Sequence, residues 1–303
     1  MKLSIIIVNY NSKKIVKECL VSVFSNLKKS IYEVIVSDNG STDGSIEMIK
    51  KEFAQTRLVE NKKNIGFAAA NNRAIEMSRG EYIFLLNPDT VILDESIFKL
   101  VEFMDDNKNI GAVGPLVVNA DGSMQKQCKR GNPDFWNSFT YYSGLWKLFP
   151  RDKKWQKIFG GYFLLDKPND LICEVGSLSG AAMIVRKSII DKVGLMNEEY
   201  IMYWDDLDWC FRIKDAGWKI YYFPESKIIH YGGVGGSQIH AFKNLWYFYH
   251  GACVYYNHFF AQRDFFVVRF LYYAGVWTVF VLKIIVNFFR KEKIIGSQKP
   301  SSK

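Results

Sequence analysis

Four carboxylates, Asp38, Asp89, Asp205 and Asp206, and one imidazole, His230, stand in this sequence where side chains can do chemistry. Asp89 closes the stretch Glu81 to Thr90, EYIFLLNPDT, in which an apolar run from Tyr82 to Leu86 ends abruptly at Asn87-Pro88-Asp89. Such a run reads as a strand buried on both faces, and Pro88, lacking an N–H, cannot continue a central ladder. The chain must turn there. In open α/β sheets ligands collect outside the carboxyl ends of the strands, so Asp89 is a candidate metal ligand; an ordinary Asn-Pro-Asp turn is the alternative. Asp38 ends a second strand inside Ser37 to Ser45, SDNGSTDGS. A loop of this composition can hold a base or ribose through Asp38 while Asp43 or Ser41 caps the next helix, and Asn9-Tyr10-Asn11 after the first strand completes the floor. Tyr203 to Asp208, YWDDLD, puts three carboxylates within four residues, which is costly unless a helix N-terminus or a reaction uses them. One of Asp205 and Asp206 can cap the helix, and a carboxylate crowded by like charge has the raised proton affinity of a general base. His230 ends another strand before the glycine-rich Gly232 to Ser237 and is a second candidate metal ligand. His240, His250 and His258 show no metal-like spacing and read as surface or packing residues.

The elements that must position these groups alternate. Strands at Leu3 to Val8, Tyr32 to Ser37, Arg57 to Glu60 and Tyr82 to Leu86 are separated by helices from about Ser12 to Ser25, Gly44 to Phe53 and Ala68 to Ser78, and a fourth helix runs from about Glu95 to Asp105. This predicts an α/β fold, a doubly wound, mostly parallel sheet flanked by helices. Further on, strands are expected at Ala112 to Val118, Ser179 to Val185, Lys219 to Phe223 and Lys227 to His230, with helices at Lys187 to Val193 and Asp205 to Ala216. The aromatic, basic stretch Gly122 to Lys167 yields no assignment. A phosphate loop GxxxxGK[ST] and the full GxGxxG spacing are both absent. A nucleotide diphosphate bound here therefore needs another counter-charge, which Asp89 with a hard cation, Mg²⁺ or Mn²⁺, can provide.

Composition sets the frame. With 303 residues, 49% of them hydrophobic, the chain can bury a large core without staples. Its five cysteines, Cys19, Cys128, Cys173, Cys210 and Cys253, include no CxxC pair, which fits a reducing compartment and no structural zinc. Met1-Lys2 leads straight into a strand, so no signal peptide is expected. The net charge of +9 is concentrated in the tail, where Ala261 to Lys303 holds eight Lys or Arg against two acids. Phe265 to Phe289 is too apolar for a groove-reading arm, so nucleic acid is not the expected partner. A membrane surface is, through an interfacial or re-entrant helix pair with Arg290, Lys291 and Lys293 at the headgroups; the uncharged core between Arg269 and Lys283 is only thirteen residues. Packing of this tail on the domain, or on a second subunit in a homodimer, is the alternative. The expected division is a catalytic domain over 1–240, a C-terminal apolar and basic helical extension over 241–295, and a disordered tail over 296–303.

The ordered series SIIIVNYNS (4–12), SDNGSTDGS (37–45), NIGFAAANNRAI (64–75), LLNPDT (85–90) and the run from GAAMIVRKSII to HYGGVGGS (180–237) resembles the family 2 inverting glycosyltransferases of GT-A fold, especially their bacterial rhamnosyltransferase-like branch. The resemblance implies that Asp38 recognises the nucleotide base, with Asn9 and Asn64 in the same pocket and Tyr10, Asn39, Gly66, Arg73, Asn87 and Gly180 completing the donor site. Asn87-Pro88-Asp89 stands where many relatives carry Asp-x-Asp, leaving Asp89 as metal ligand with His230. Asp205-Asp206 occupies a Glu-Asp position whose second residue is the catalytic base, and Gly232 to Ser237 matches a loop that orders over bound donor. It further implies a dTDP- or UDP-linked sugar, rhamnose first, a glycan or lipid-linked oligosaccharide acceptor, and action at the cytoplasmic face of the cell membrane. Two other classes compete. A nucleotidyltransferase would need a basic glycine-rich loop near the N-terminus, which Asn9 to Ser12 is not. A non-catalytic sugar-nucleotide scaffold would not need Asp89, Asp206 and His230 together.

Overall fold

The apolar runs become the centre of one sheet. β1 (Leu3–Asn9) and β4 (Tyr82–Leu86) are buried at every position, and β2 (Tyr32–Asp38) over its last five. With β3 (Arg57–Glu60) at the edge, these strands pair in parallel in the order β3-β2-β1-β4, joined through α1 (Lys13–Asn26), α2 (Ser45–Glu52) and α3 (Phe67–Met77). Helix α1 turns Val16, Cys19, Leu20 and Val23 inward, the spacing of one helical face. The expected alternation holds here to within one or two residues. This computed structural model describes residues 1–28, 31–132, 134–142, 144–149, 152–232 and 241–289. The loop 233–237, His240, the cluster Arg290 to Lys293 and the tail 296–303 lie outside the described residues.

Beyond β4 come β5 (Thr90–Ile92), α4 (Ile97–Asp106), β6 (Ile110–Val118), β7 (Cys173–Glu174), β8 (Ala182–Arg186), α7 (Ile190–Val193), α8 (Asp205–Asp215) and β9 (Lys219–His230). The sheet continues β4-β8-β6-β9-β5, with β7 also on β9. β8 runs antiparallel to both β4 and β6, and β5 antiparallel to β9, so this half is mixed where the first is parallel. Two strand expectations are corrected. The strand expected from Ser179 begins at Ala182, because the preceding turn wraps the end of β4, where Asn87 N–H donates to Ala181 O at 2.9 Å. The two strands expected at Lys219 and Lys227 are one, since a register shift against β6 between Pro115 and Leu116 absorbs Pro224 to Ser226.

The unassigned stretch Gly122 to Lys167 folds as an insertion containing a 3₁₀ turn at Lys126–Cys128, α5 (Phe135–Tyr142) and α6 (Lys153–Phe159). Its rings stack largely on one another: Tyr141 on Tyr162 at 4.7 Å and Phe149 on Phe159 at 3.8 Å. The C-terminal region forms α9 (Ala241–Phe259) and α10 (Phe266–Phe288). Through Ala252, Val254 and Tyr255, α9 packs on Tyr200, Trp204 and Leu207 in a cluster separate from the main core. Arg269 and Lys283 lie inside the single continuous helix α10, which is mostly exposed and is long and apolar enough to cross a membrane.

Candidate active site

The ends of β1 and β2 build a polar floor. Asn9 and Asp38 are register partners on adjacent strands, both fully buried, and Asn9 Nδ2 donates to Asp38 Oδ2 at 2.7 Å. The other Asp38 oxygen accepts from Ser41 N–H at 2.8 Å, while Ser12 Oγ donates to Asn9 Oδ1 at 2.7 Å. Asn39 Nδ2 donates to Gly66 O at 3.1 Å and meets Asn64 Oδ1 at 3.4 Å. Asn61, at the end of β3, donates to Asn39 Oδ1 at 3.1 Å and accepts from Arg73 Nη1 at 2.6 Å. Tyr10 is exposed above this floor. Asp43 ties the two helix starts, accepting from Lys13 N–H at 2.8 Å and from Ser45 N–H at 3.1 Å. Gly66 has φ +94° and lies against Ile201, a backbone that an L side chain rarely adopts, so the Asn64 loop meets the segment leading into α8.

The β4 elbow meets the end of β9. Thr90 pairs with His230 across β5 and β9, which sets His230 Nε2 3.1 Å from Asp89 Oδ1 and 3.4 Å from Asn87 Nδ2. Gln125 orients the imidazole from behind, with Oε1 2.8 Å from His230 Nδ1 and Nε2 donating to His230 O at 2.7 Å. Asn87 Oδ1 is buried without a hydrogen-bond partner. Cys19 Sγ lies 3.7 Å from Asn87 O, but burial pushes its thiol up to about 12, so it remains neutral. Among the described residues no group of three or more His, Cys, Asp or Glu could hold a metal. A divalent cation fits only as one gripped by Asp89 and His230 and completed by ligand oxygens and water. Their 3.1 Å spacing suits that role, since neighbouring ligands of a cation at about 2.1 Å lie about 3 Å apart.

Helix α8 presents the third cluster. Tyr203 and Trp204 take left-handed backbone angles, φ 69° and 70°, and Trp204 is anchored by Nε1 donating to Phe248 O on α9 at 2.8 Å. Asp206 Oδ2 accepts from Arg130 Nη2 at 2.7 Å and from Gly180 N–H at 3.0 Å. Asp205 points inward: it is 5% exposed, its Oδ2 has no partner, and burial followed by the Asp206 charge pushes its carboxyl up to about 7. Burial opposes the charge on Arg130, yet the adjacent Asp206 outweighs it and raises the guanidinium above its ordinary value. Neither Asp205 nor Asp206 is a side-chain N-cap of α8. Asp208 is structural, accepting from Arg212 Nε at 2.6 Å and Tyr200 OH at 3.2 Å.

These clusters converge on one rim. Gly180 binds Asp206 and its neighbour Ala181 binds Asn87, so the elbow and the α8 carboxylate are tied to consecutive residues. Of the expected histidines, His250 stacks on Trp246 at 4.4 Å, and His258 pairs with Glu199 at 3.4 Å and approaches Asp208 at 3.8 Å. Sequence reasoning missed Asn61, Gln125 and Arg130. Asn61 carried the same strand-end signal as Asp38, whereas Gln125 and Arg130 sat in a stretch without periodicity.

A mixed sheet with a polar floor, an acidic elbow and a helix-borne carboxylate on one rim has the GT-A architecture. The solved structure of S. aureus TarS 1–349 in complex with UDP-GlcNAc covers 91% of this chain and 72% of its own with a TM-score of 0.60 at 17% identity. The mannosyltransferase PcManGT from Pyrobaculum calidifontis in complex with GDP-Man and Mn²⁺ covers 87% of this chain and 65% of its own with a TM-score of 0.56 at 16% identity. The chain belongs to glycosyl transferase family 2, whose model matches residues 4–193. It is 31% identical over 209 residues to the N-acetylglucosaminyl-diphospho-decaprenol L-rhamnosyltransferase of Mycobacterium tuberculosis, a match spanning 65% of this chain and 66% of that relative.

Proposed function

We propose that this protein is an inverting glycosyltransferase of cell-surface polysaccharide synthesis. It moves a sugar, rhamnose first among candidates, from a dTDP- or UDP-linked donor to a hydroxyl of a lipid-linked glycan. The observation that carries this reading is the placement of Asp206: a partly accessible carboxylate held by Arg130 and Gly180 on the rim shared with Asp38 and Asp89. In this reading Asp38, Asn9 and Asn64 hold the base. Asp89 and His230 hold a divalent cation, which when bound neutralises charge on the donor diphosphate. Asp206 accepts the proton of the acceptor hydroxyl as its oxygen attacks the anomeric carbon; the bond to the nucleoside diphosphate breaks on the opposite face, inverting configuration. Asp205, whose carboxyl is pushed up by burial and then by the Asp206 charge, ionises less readily than an ordinary carboxylate beside the base. The identity of the mycobacterial relative supports rhamnose and a diphospho-lipid acceptor, and the exposed apolar surface of α10 supports action at a membrane.

A panel of nucleotide sugars, assayed for nucleoside diphosphate release with a prenyl-diphosphate-linked N-acetylglucosamine acceptor, tests this. Release is expected from dTDP-rhamnose or a UDP-sugar, and a fall of at least about tenfold on adding EDTA. Release unchanged by chelation removes the cation from Asp89 and His230; no release from any donor removes the activity.

A further inference from the structure

The insertion forms a half-open cavity that the proposed transfer chemistry does not use. Its volume is about 470 Å³, and Lys126, Trp146, Lys147, Phe149, Trp155 and Gln156 are among its lining residues. Both ammonium groups lie near one ring, Lys126 Nζ at 5.5 Å and Lys147 Nζ at 5.7 Å from the Trp146 centroid. No carboxylate lines the cavity among the described residues, so both ammonium groups near the Trp146 ring lack an anionic partner in its lining. Phe149 and Trp155 stack at 5.0 Å and supply further flat apolar surface.

The cavity is joined to both ends of the candidate site. Lys126 directly follows Gln125, which orients His230, and four residues later Arg130 grips Asp206. Four residues span at most about 14 Å. The segment that follows Arg130 also meets the stretch next to the lining residue Gly160: Gly131 N–H donates to Tyr162 O at 3.0 Å, and a side chain at Gly131 would meet Gly161 O at 2.1 Å. A ligand lodged here lies outside the nucleotide floor, against a segment whose neighbours Gln125 and Arg130 reach His230 and Asp206.

We infer that this cavity is the acceptor subsite and takes a glycosyl phosphate, the sugar ring against Trp146 and the phosphate between Lys126 and Lys147. The inference rests on the transferase reading for its acceptor but on the cavity alone for its chemistry. Its size suits one sugar ring with a phosphate, aromatic faces pack the apolar face of a pyranose, and an anion relieves the lysine pair. The same chemistry arises from a soluble sugar phosphate and from a prenyl-diphosphate-linked sugar.

Calorimetry on the full chain in detergent tests it. N-acetylglucosamine 1-phosphate and a short-chain prenyl-diphosphate-linked N-acetylglucosamine are titrated separately, with UDP and dTDP titrated alongside. The wild type is expected to bind at least one sugar phosphate. K126A/K147A and, separately, W146A should weaken it at least tenfold while changing nucleotide affinity less than twofold. Tighter binding of the prenyl-linked probe assigns the lipid-linked source, and equal binding the soluble one. Absence of wild-type sugar-phosphate binding, or unchanged affinity in both variants, overturns the inference. So does a K126A/K147A variant that keeps sugar-phosphate affinity but loses sedimentation with anionic vesicles. Failure of UDP and dTDP to bind would instead remove the donor reading and leave the cavity result standing.

Discussion

Asp206 and Asp205 are adjacent in sequence and opposite in circumstance. Asp206 is paired with Arg130 at 2.7 Å, and breaking a buried pair of this kind costs about 3–5 kcal/mol because it strands a charge. Arg130→Ala should therefore lower the melting temperature. Arg130→Lys keeps the charge but loses the fork; kcat is expected to fall about 10–100-fold with nucleotide affinity retained. A fall in nucleotide affinity equal to that in kcat would place Arg130 in the donor site instead. Asp205 gives a stability signature. Burial holds its carboxyl at about 7 in the folded chain, against about 4 unfolded. Between those values unfolding releases a proton, so stability falls as pH rises from about 4 to about 7, by a few kcal/mol in order of magnitude. Thermal melts at pH 5 and pH 8 should show Asp205→Asn flattening that fall. The clustering of these acids was legible in the sequence, and the resemblance singled out Asp206; the partner that distinguishes it from Asp205, Arg130, was not legible, because it lies far away in the chain.

At the scale of elements, the site rests on how strands and helices end. The strand-end positions of Asp38, Asp89 and His230 could be read from the sequence because strands covered on both faces leave continuous apolar runs that stop sharply. The insertion could not, because its rings stack on one another and leave no period of 2 or 3.6 to detect. β9 read as two strands because the bulge that absorbs Pro224 to Ser226 carries no local signal. The approach to α8 is set from α9: a side chain at Gly251 would meet Trp204 Cδ1 at 2.7 Å. Gly251→Ala should displace Trp204, lower stability by about 1–3 kcal/mol and reduce kcat. A melt and a kinetic assay check both, and unchanged kcat with lowered stability would uncouple α9 from the catalytic helix. Gly180 offers a sharper case, since an added Cβ lies 3.4 Å from Asp206 Cβ. Ala is expected to be tolerated there, whereas Val should push the carboxylate aside and reduce transfer at least about 100-fold with little change in melting temperature.

At the scale of the whole molecule, catalytic body and apolar extension share one continuous structure, with α9 packed on the body and α10 left mostly exposed. Phe270 and Leu282 are 69% and 55% exposed on α10. Replacing both with Glu should abolish sedimentation with anionic vesicles without changing the melting temperature; retained sedimentation with an altered oligomeric state would make α10 a subunit contact. The central claim is that this rim performs inverting transfer with Asp206 as its base. The most direct measurement compares transfer and nucleotide binding in Asp206→Asn and the wild type. The account predicts transfer reduced at least about 10³-fold with nucleotide affinity within about threefold; near wild-type turnover in that variant would contradict it.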